Sequence, residues 1–204
     1  VGPFSQTELT QTDVYRFLDF LNRRIGKVTL YLTPQCTGLA EGFNGTLRHS
    51  QTVPLDKPLD EIRKAYSENL RRNIKKAGKS GLTLHLLDDA EEVISAFKSQ
   101  GGAHVGQIGE GGFEKLNALL HNLQTHTHSL IPQVRDAEGH VLYTAFFSVF
   151  GGTVLYVKGA GTETAKKYGA GHWLMDQMIA RFHAEGCTVF DFGGAHAENV
   201  RNFN

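Results

Sequence analysis

Hydrophobic periodicity switches twice between Thr153 and Gly194. TVLYVKGAG is β-branched and aromatic and ends in glycines. In AGHWLMDQMIARFHAEG, residues Leu174, Met175, Met178, Ile179 and Phe182 recur at spacings of three and four, which puts them on one helical face. CTVFDFGG is again a short apolar run, stopped by two glycines. Two such runs joined through a helix predict a βαβ crossover, with parallel strands and the helix packed on their sheet.

The same patterning organises the rest of the chain. Thr12 is placed to cap a helix whose apolar stripe is Val14, Phe17, Leu18, Leu21 and Ile25, closed by Gly26. KVTLYLT reads as a strand, and the Gly- and Thr-rich stretch 34–46 as a loop or domain junction. TLRHSQTVPL reads as extended, and Pro58 opens a short helix to Tyr66. In SENLRRNIKKAGKSG, Leu70, Ile74 and Ala77 share a helical face and the basic side chains take the remainder. LTLHLLD is a strand, and DDAEEVISAFKSQ is a helix whose opening carboxylates suit the positive end of its dipole. Residues 103–112 form a glycine-rich loop, and Phe113–Leu123 a helix. Ser129–Arg135, His140–Phe150 and Thr153–Lys158 are three strands joined by tight turns, hence an antiparallel meander. AENVRNFN closes the chain as a short helical piece. The order predicts an α+β fold, a mixed and mainly antiparallel sheet with helices on both faces.

Composition narrows the classes. The 204 residues are 40% hydrophobic, enough for one sizeable core or one domain plus part of another. Lys+Arg and Asp+Glu both total 21, so any attraction to a polyanion must come from local clusters. Two distant cysteines, Cys36 and Cys187, make no disulfide framework and no metal knuckle, which points to a reducing, cytoplasmic setting. No apolar run approaches about 20 residues, so no membrane span is expected, and no signal peptide is visible. The opening VGPFSQ lacks an initiator Met, as in a fragment or a chain whose true start is missing.

Five strings carry a resemblance: PFSQTE, GFNGTLRHSQTVPLD, NLRRNIKKAGKSGL, GTVLYVKGAGTETAKKYGAGHWLMDQMI, and the Gly-x-x-x-x-Asp-Phe-Gly-Gly pattern from Gly186 followed by VRNFN. Their order resembles GNAT-type acyltransferase domains, and within them the Fem-type peptidoglycan aminoacyltransferases and their uncharacterised relatives. The resemblance implies that residues 1–50 are the C-terminal part of a first GNAT-like sub-domain. Residues 51–204 would be the acyltransferase domain, lacking the family's last strands.

It also implies a site. Lys166, Lys167, Gly169, Ala170 and Gly171 have the form of the turn that holds the acyl-CoA pyrophosphate. Glycines let backbone N–H groups approach, a helix start adds partial positive charge, and lysines add Coulomb attraction. The same string also serves as an ordinary helix entry. Arg71 and Arg72 fall where Fem-type enzymes meet a nucleotide-linked substrate, Arg72 by motif position; a solvated basic face reads equally from the residues. Lys158 is expected to end the third meander strand on the face of Val154 and Tyr156. Where that strand parts from the next parallel one, Lys158, Tyr156 and Asp191 are the catalytic candidates. Lys158 would hold a carboxylate or phosphate and Asp191 would accept the amine proton, or Asp191 would cap the amides of Gly193 and Gly194. His121, His126 and His128 lack a third ligand, so no metal is expected. His172, His183 and His196 read as helix-face or turn residues, and Cys187 as a small buried hydrophobe.

The implied activity is transfer of an acyl or aminoacyl group, from acyl-CoA or aminoacyl-tRNA, to an amine. The alternatives are a non-catalytic GNAT-fold protein that binds a nucleotide, peptide or protein, and RNA binding through the Arg71–Lys79 face.

Overall fold

The computed structural model describes residues 9–25, 50–100 and 110–194. The strand expected in KVTLYLT, the loop 34–46, most of the glycine-rich stretch and the closing AENVRNFN lie outside the described residues. The chain divides into two compact units, Val1–Leu47 and Arg48–Asn204.

In the first unit, helix α1 spans Gln11–Asn22. Its cap is Thr10, two residues before the expected Thr12. Asp13 decides this: its amide donates to Thr10 Oγ1 and its carboxylate accepts from the Thr10 amide, a reciprocal capping box. The Thr10 hydroxyl also donates to that carboxylate at 2.6 Å, and this bond first, then the one from the Thr10 amide, hold the Asp13 carboxyl below its usual range.

The second unit is a six-stranded sheet in the order β1-β6-β5-β4-β3-β2. The strands are β1 (Ser50–Pro54), β2 (Thr83–Leu87), β3 (His128–Arg135), β4 (Val141–Phe150), β5 (Thr153–Gly161) and β6 (Val189–Gly194). All neighbours are antiparallel except β5 and β6, the parallel pair that the crossover pattern predicts. Helices α4 (Glu91–Gln100) and α5 (Glu110–His126) cover one face. The expected loop ends early, since Gly111 and Gly112 already belong to α5. The other face carries α2 (Leu59–Lys64), α3 (Glu68–Gly78), α6 (Glu163–Tyr168) and α7 (Ala170–Ala184). Among the described residues no helix is long and apolar enough to cross a membrane.

The alternation of β4 and β5 feeds two cores. Ala145, Phe147, Val154 and Phe190 pack with Leu174, Met178, Ile179 and Phe182 of α7. Phe146, Ile131 and Ala160 pack with Val93, Ile94 and Phe97 of α4 and Leu120 of α5. Phe147 is the hub of the first core, its ring centroid 5.4–5.9 Å from those of Tyr156, Phe190 and Phe182. Asp176 is buried on α7 and receives both Nε and Nη2 of Arg63, at 2.9 and 2.8 Å. This bidentate pair fixes α2, which is too short to hold its own conformation in water.

Candidate active site

β5 and β6 pair at three positions, Thr153 with Val189, Val154 with Phe190, and Leu155 with Asp191. Beyond them β6 continues along β1 as far as Gly194 opposite Ser50. β5 continues along β4 to Gly161 opposite Tyr143. The two parallel strands therefore part after Leu155 and Asp191, each still held by its other neighbour.

A β-bulge sits at the point of parting. Phe147 faces Tyr156 while Phe146 faces Lys158, so Val157 is the extra residue. Strand side chains alternate, so one inserted residue sends the next to the other face. Lys158 is thus not on the face of Val154 and Tyr156, as the plain alternation predicts. It lies opposite them, with Phe146 and α4. Asp191, opposite Leu155, shares the Lys158 face, and Tyr156 looks toward α7.

On the α7 face, Tyr156 Oη lies 3.0 Å from Tyr143 Oη. Burial pushes both phenol pKa values up, well above the ordinary value for Tyr156, so both are neutral and one donates to the other. Three glycines make room for the pair. A Cβ at Gly159 would strike the Tyr156 hydroxyl, a Cβ at Gly161 would strike the Tyr143 ring, and one at Gly171 would come within 3.2 Å of that ring. On the α4 face, Lys158 Nζ sits 3.5 Å from the centroid of the Phe97 ring. Its half-burial lowers its pKa. Asp191 Oδ1 accepts from Ser50 Oγ at 2.6 Å and from the Gly193 amide at 2.7 Å. Gly193, at φ +78, makes the bend that brings its amide back.

The KKYGAG string joins α6 to α7. Gly169, at φ +71, ends the first helix and caps the second. A Cβ there would come within 3.1 Å of the Asn73 carbonyl oxygen, so α3 closes over the turn. Lys76 Nζ, also on α3, donates to the Lys167 carbonyl at 2.7 Å. Lys166 instead pairs with Glu163 on the surface, at 2.7 Å. His172, in the first turn of α7, lies 3.4 Å from Asn73 Nδ2 through Nδ1, and burial lowers its pKa. Arg71 and Arg72 are exposed on α3.

Residues 64–199 match the family described as the acetyltransferase (GNAT) domain. The chain belongs to this family. The fold is similar to that of FemX, with a TM-score of 0.59 and 14% identity, over 73% of this chain and 53% of that one. It is also similar to L-PGS from Bacillus licheniformis, with a TM-score of 0.55 and 15% identity, over 93% of this chain and 59% of that one. The chain thus spans a little over half the length of these structures. Comparison with curated proteins gave no match.

Several contacts around the opening and the turn have no signal in the local sequence. Tyr143 reaches Tyr156 across a strand pair, and nothing local to either residue signals the other. Ser50 meets Asp191 across 141 residues of chain. Lys76 stood among five basic residues of one helix, and only the packing of α3 on the turn distinguishes it. Among the histidines, His128 pairs with Glu185 at 3.1 Å. Asp136, Glu138 and His140 place potential metal-ligating atoms within 4.8 Å of one another. There the Asp136 carboxylate serves the β3–β4 turn, accepting from the Glu138 and His140 amides at 3.1 and 2.8 Å. Cys187 is a buried free thiol.

Proposed function

We propose that this GNAT domain transfers an acyl or aminoacyl group from an activated ester to an amine, in the opening between β5 and β6. The supporting observation is the parting of the two parallel strands after Leu155 and Asp191, beside a bulge and below the α6–α7 turn. The opening has two sides. The turn and the tyrosine pair belong to one face, and Lys158 and Asp191 to the other. The donor takes the first side and the acceptor the second.

The donor carbonyl carbon lies in the opening and the amine nitrogen attacks it. The C–N bond forms, and the C–S bond of a thioester or the C–O bond of an ester breaks. Backbone N–H groups released from the ladder at Val157 hold the oxyanion. Asp191 receives the amine proton on Oδ2, while Ser50 and Gly193 fix the carboxylate through Oδ1. Tyr156, kept protonated by burial, gives its proton to the departing thiolate or alkoxide and is reprotonated through Tyr143. Lys158 positions a carboxylate or phosphate of the acceptor.

Acyl-CoA and aminoacyl-tRNA both present phosphate, and Lys167 and Lys76 supply charge beside the turn. Gly169 and Ala170 are buried and Asn73 of α3 lies over Gly169, so the turn's small residues admit α3 and a phosphate would meet the lysines at the edge of the turn. Lys166, engaged by Glu163, contributes less. Arg71 and Arg72 extend the basic surface along α3, which favours the longer polyanion. Either donor belongs to the cytoplasm. Residues 1–50 we read as the tail of a first GNAT-like sub-domain and 51–204 as the transferase domain.

The test is amine-dependent release of free thiol from acetyl-CoA and longer acyl-CoAs, run beside amine-dependent deacylation of aminoacyl-tRNA. Turnover with one donor, lost in Tyr156→Phe, supports transfer. Donor at 100 times its Kd stabilises the fold by about 2.7 kcal/mol. That stabilisation without turnover would establish instead a protein that binds without catalysing. The two hydrogen bonds already held by Asp191 favour this second reading.

A further inference from the structure

A cavity of about 240 Å³ lies on the α7 face, on the far side of β6 from the opening. Val53 and Pro54 of β1, Ile62 of α2, Leu70 of α3, Ile179 of α7 and Phe192 of β6 wall it. Ile62, Leu70 and Ile179 are buried, so the walls belong to packed structure. Its roof is fixed as well. The bidentate Arg63–Asp176 pair ties α2 to α7, and the Tyr66 ring continues the wall. The Tyr66 hydroxyl is buried beside the Asp176 carboxylate. Burial first, then the nearby Asp176 charge, raise its pKa, so it adds no charge to the wall. Exposed Lys57 and Glu61 stand at the rim.

The pocket opens to solvent at the Lys57 and Glu61 rim, while buried Ile62, Leu70 and Ile179 give it a packed apolar floor. Phe192 follows Asp191, the last β6 residue paired with β5. Adjacent strands lie about 4.8 Å apart, so the cavity is one strand's width from the opening. We propose that it is the subsite for an uncharged apolar side chain of the substrate. Its volume sets the size of that group. A cavity of about 150 Å³ holds benzene, so this one holds a branched aliphatic or single-ring aromatic group. The apolar walls reject a charged end, while Lys57 and Glu61 at the rim suit the polar atoms next to such a side chain. The inference rests on the transfer reading only for what the group is attached to: an acyl thioester or an aminoacyl ester.

The test uses the full chain with 13C-labelled Ile and Leu methyls. N-acetyl-L-leucinamide and N-acetyl-L-phenylalaninamide are expected to shift the Ile62, Leu70 and Ile179 signals saturably, and N-acetyl-L-aspartamide is not. Val53→Phe fills the cavity and Ala65→Trp, at the exposed rim, blocks it. Each should weaken binding about tenfold or more, with the rest of the methyl spectrum intact. Ala65→Trp keeps the test valid if Val53→Phe fails to fold. Competition by phenylacetyl-CoA assigns the subsite to an acyl thioester, and competition by phenylalanine methyl ester assigns it to an aminoacyl group. Equal binding of the aspartamide, or undiminished binding in the folded variants, overturns the subsite. Acetyl-CoA turnover reads the opening alone, so failure here and failure of the transfer reading are separate results.

Discussion

Lys158 and Tyr156, two residues apart on one strand, point to opposite faces of the sheet because Val157 is bulged out between them. The ammonium rests on Phe97 and the phenol meets Tyr143. A single inserted residue thereby gives the opening one cationic mouth and one neutral, hydrogen-bonding mouth.

Desolvation lowers the Lys158 pKa below 10.5. Between that lowered value and 10.5 the unfolded chain holds the extra proton, so stability rises with pH across this window. Below it the desolvation penalty is constant. Lys158→Met removes the penalty and keeps a contact with the ring. The side chain is only half-buried, so unfolding free energy should change by less than about 1 kcal/mol at neutral pH. Wild type should gain on the variant as pH nears 10.5. The acceptor KM should rise while kcat changes less. Urea unfolding at neutral and alkaline pH, with steady-state kinetics, checks both parts.

The glycines under the tyrosine pair are a packing requirement. Gly159→Ala places a methyl against the Tyr156 hydroxyl and 3.1 Å from Tyr143. Overpacking of this kind costs about 1–3 kcal/mol. Tyr156→Phe removes the atom most in the way, so the double variant should recover part of the loss. Additive losses in a double-mutant cycle would place the strain elsewhere.

Arg63 and Asp176 should behave as a unit. Asp176→Ala leaves a guanidinium beside an apolar core. Removing one partner of a fully buried pair costs about 3–5 kcal/mol, but the Arg63 side chain is 40% exposed, so roughly half of that is expected. Arg63→Ala should cost at least as much, since it strands the buried carboxylate. Replacing both should cost less than the two singles together, as read by urea denaturation.

Lys166 at the turn and Lys76 of α3 should separate in donor binding. Lys166 is spent on an exposed ion pair worth a few tenths of a kcal/mol, so Lys166→Ala should leave donor Kd nearly unchanged. Lys76→Ala removes both a charge and the hydrogen bond that holds the turn. Its donor Kd should rise about five- to tenfold, with a shallower dependence on salt. Calorimetric titration at two salt concentrations distinguishes the variants.

The elements were legible in the sequence where period and punctuation agreed. Val154 and Phe190 on one face, with Met178 and Phe182 above them, predicted the crossover and hence the parallel pair. What stayed hidden depends on contacts between distant residues or on a one-residue irregularity. Valine suits either face of a sheet, so nothing in YVK announces that Val157 is bulged. Asp176 interrupts an apolar helix face, and only Arg63, 113 residues away, explains it. The Asp13 side chain that selects Thr10 over Thr12 was visible, but a carboxylate in the first turn serves either cap.

Asp191 tests whether the opening is catalytic. Two arrangements fit its hydrogen bonds: a carboxylate that only braces the Gly193 bend, and one braced through Oδ1 so that Oδ2 can take a proton. Asp191→Asn distinguishes them, because the amide oxygen still accepts from Ser50 and Gly193 while the base is gone. Stability should hold within about 1 kcal/mol, since one acceptor replaces another. With Asp191 as base, kcat should fall about 100-fold or more. Ser50→Ala, which loosens the carboxylate without removing it, should lower kcat by a smaller factor. An Asp191→Asn protein with unchanged kcat reduces the residue to a brace and leaves solvent to take the amine proton.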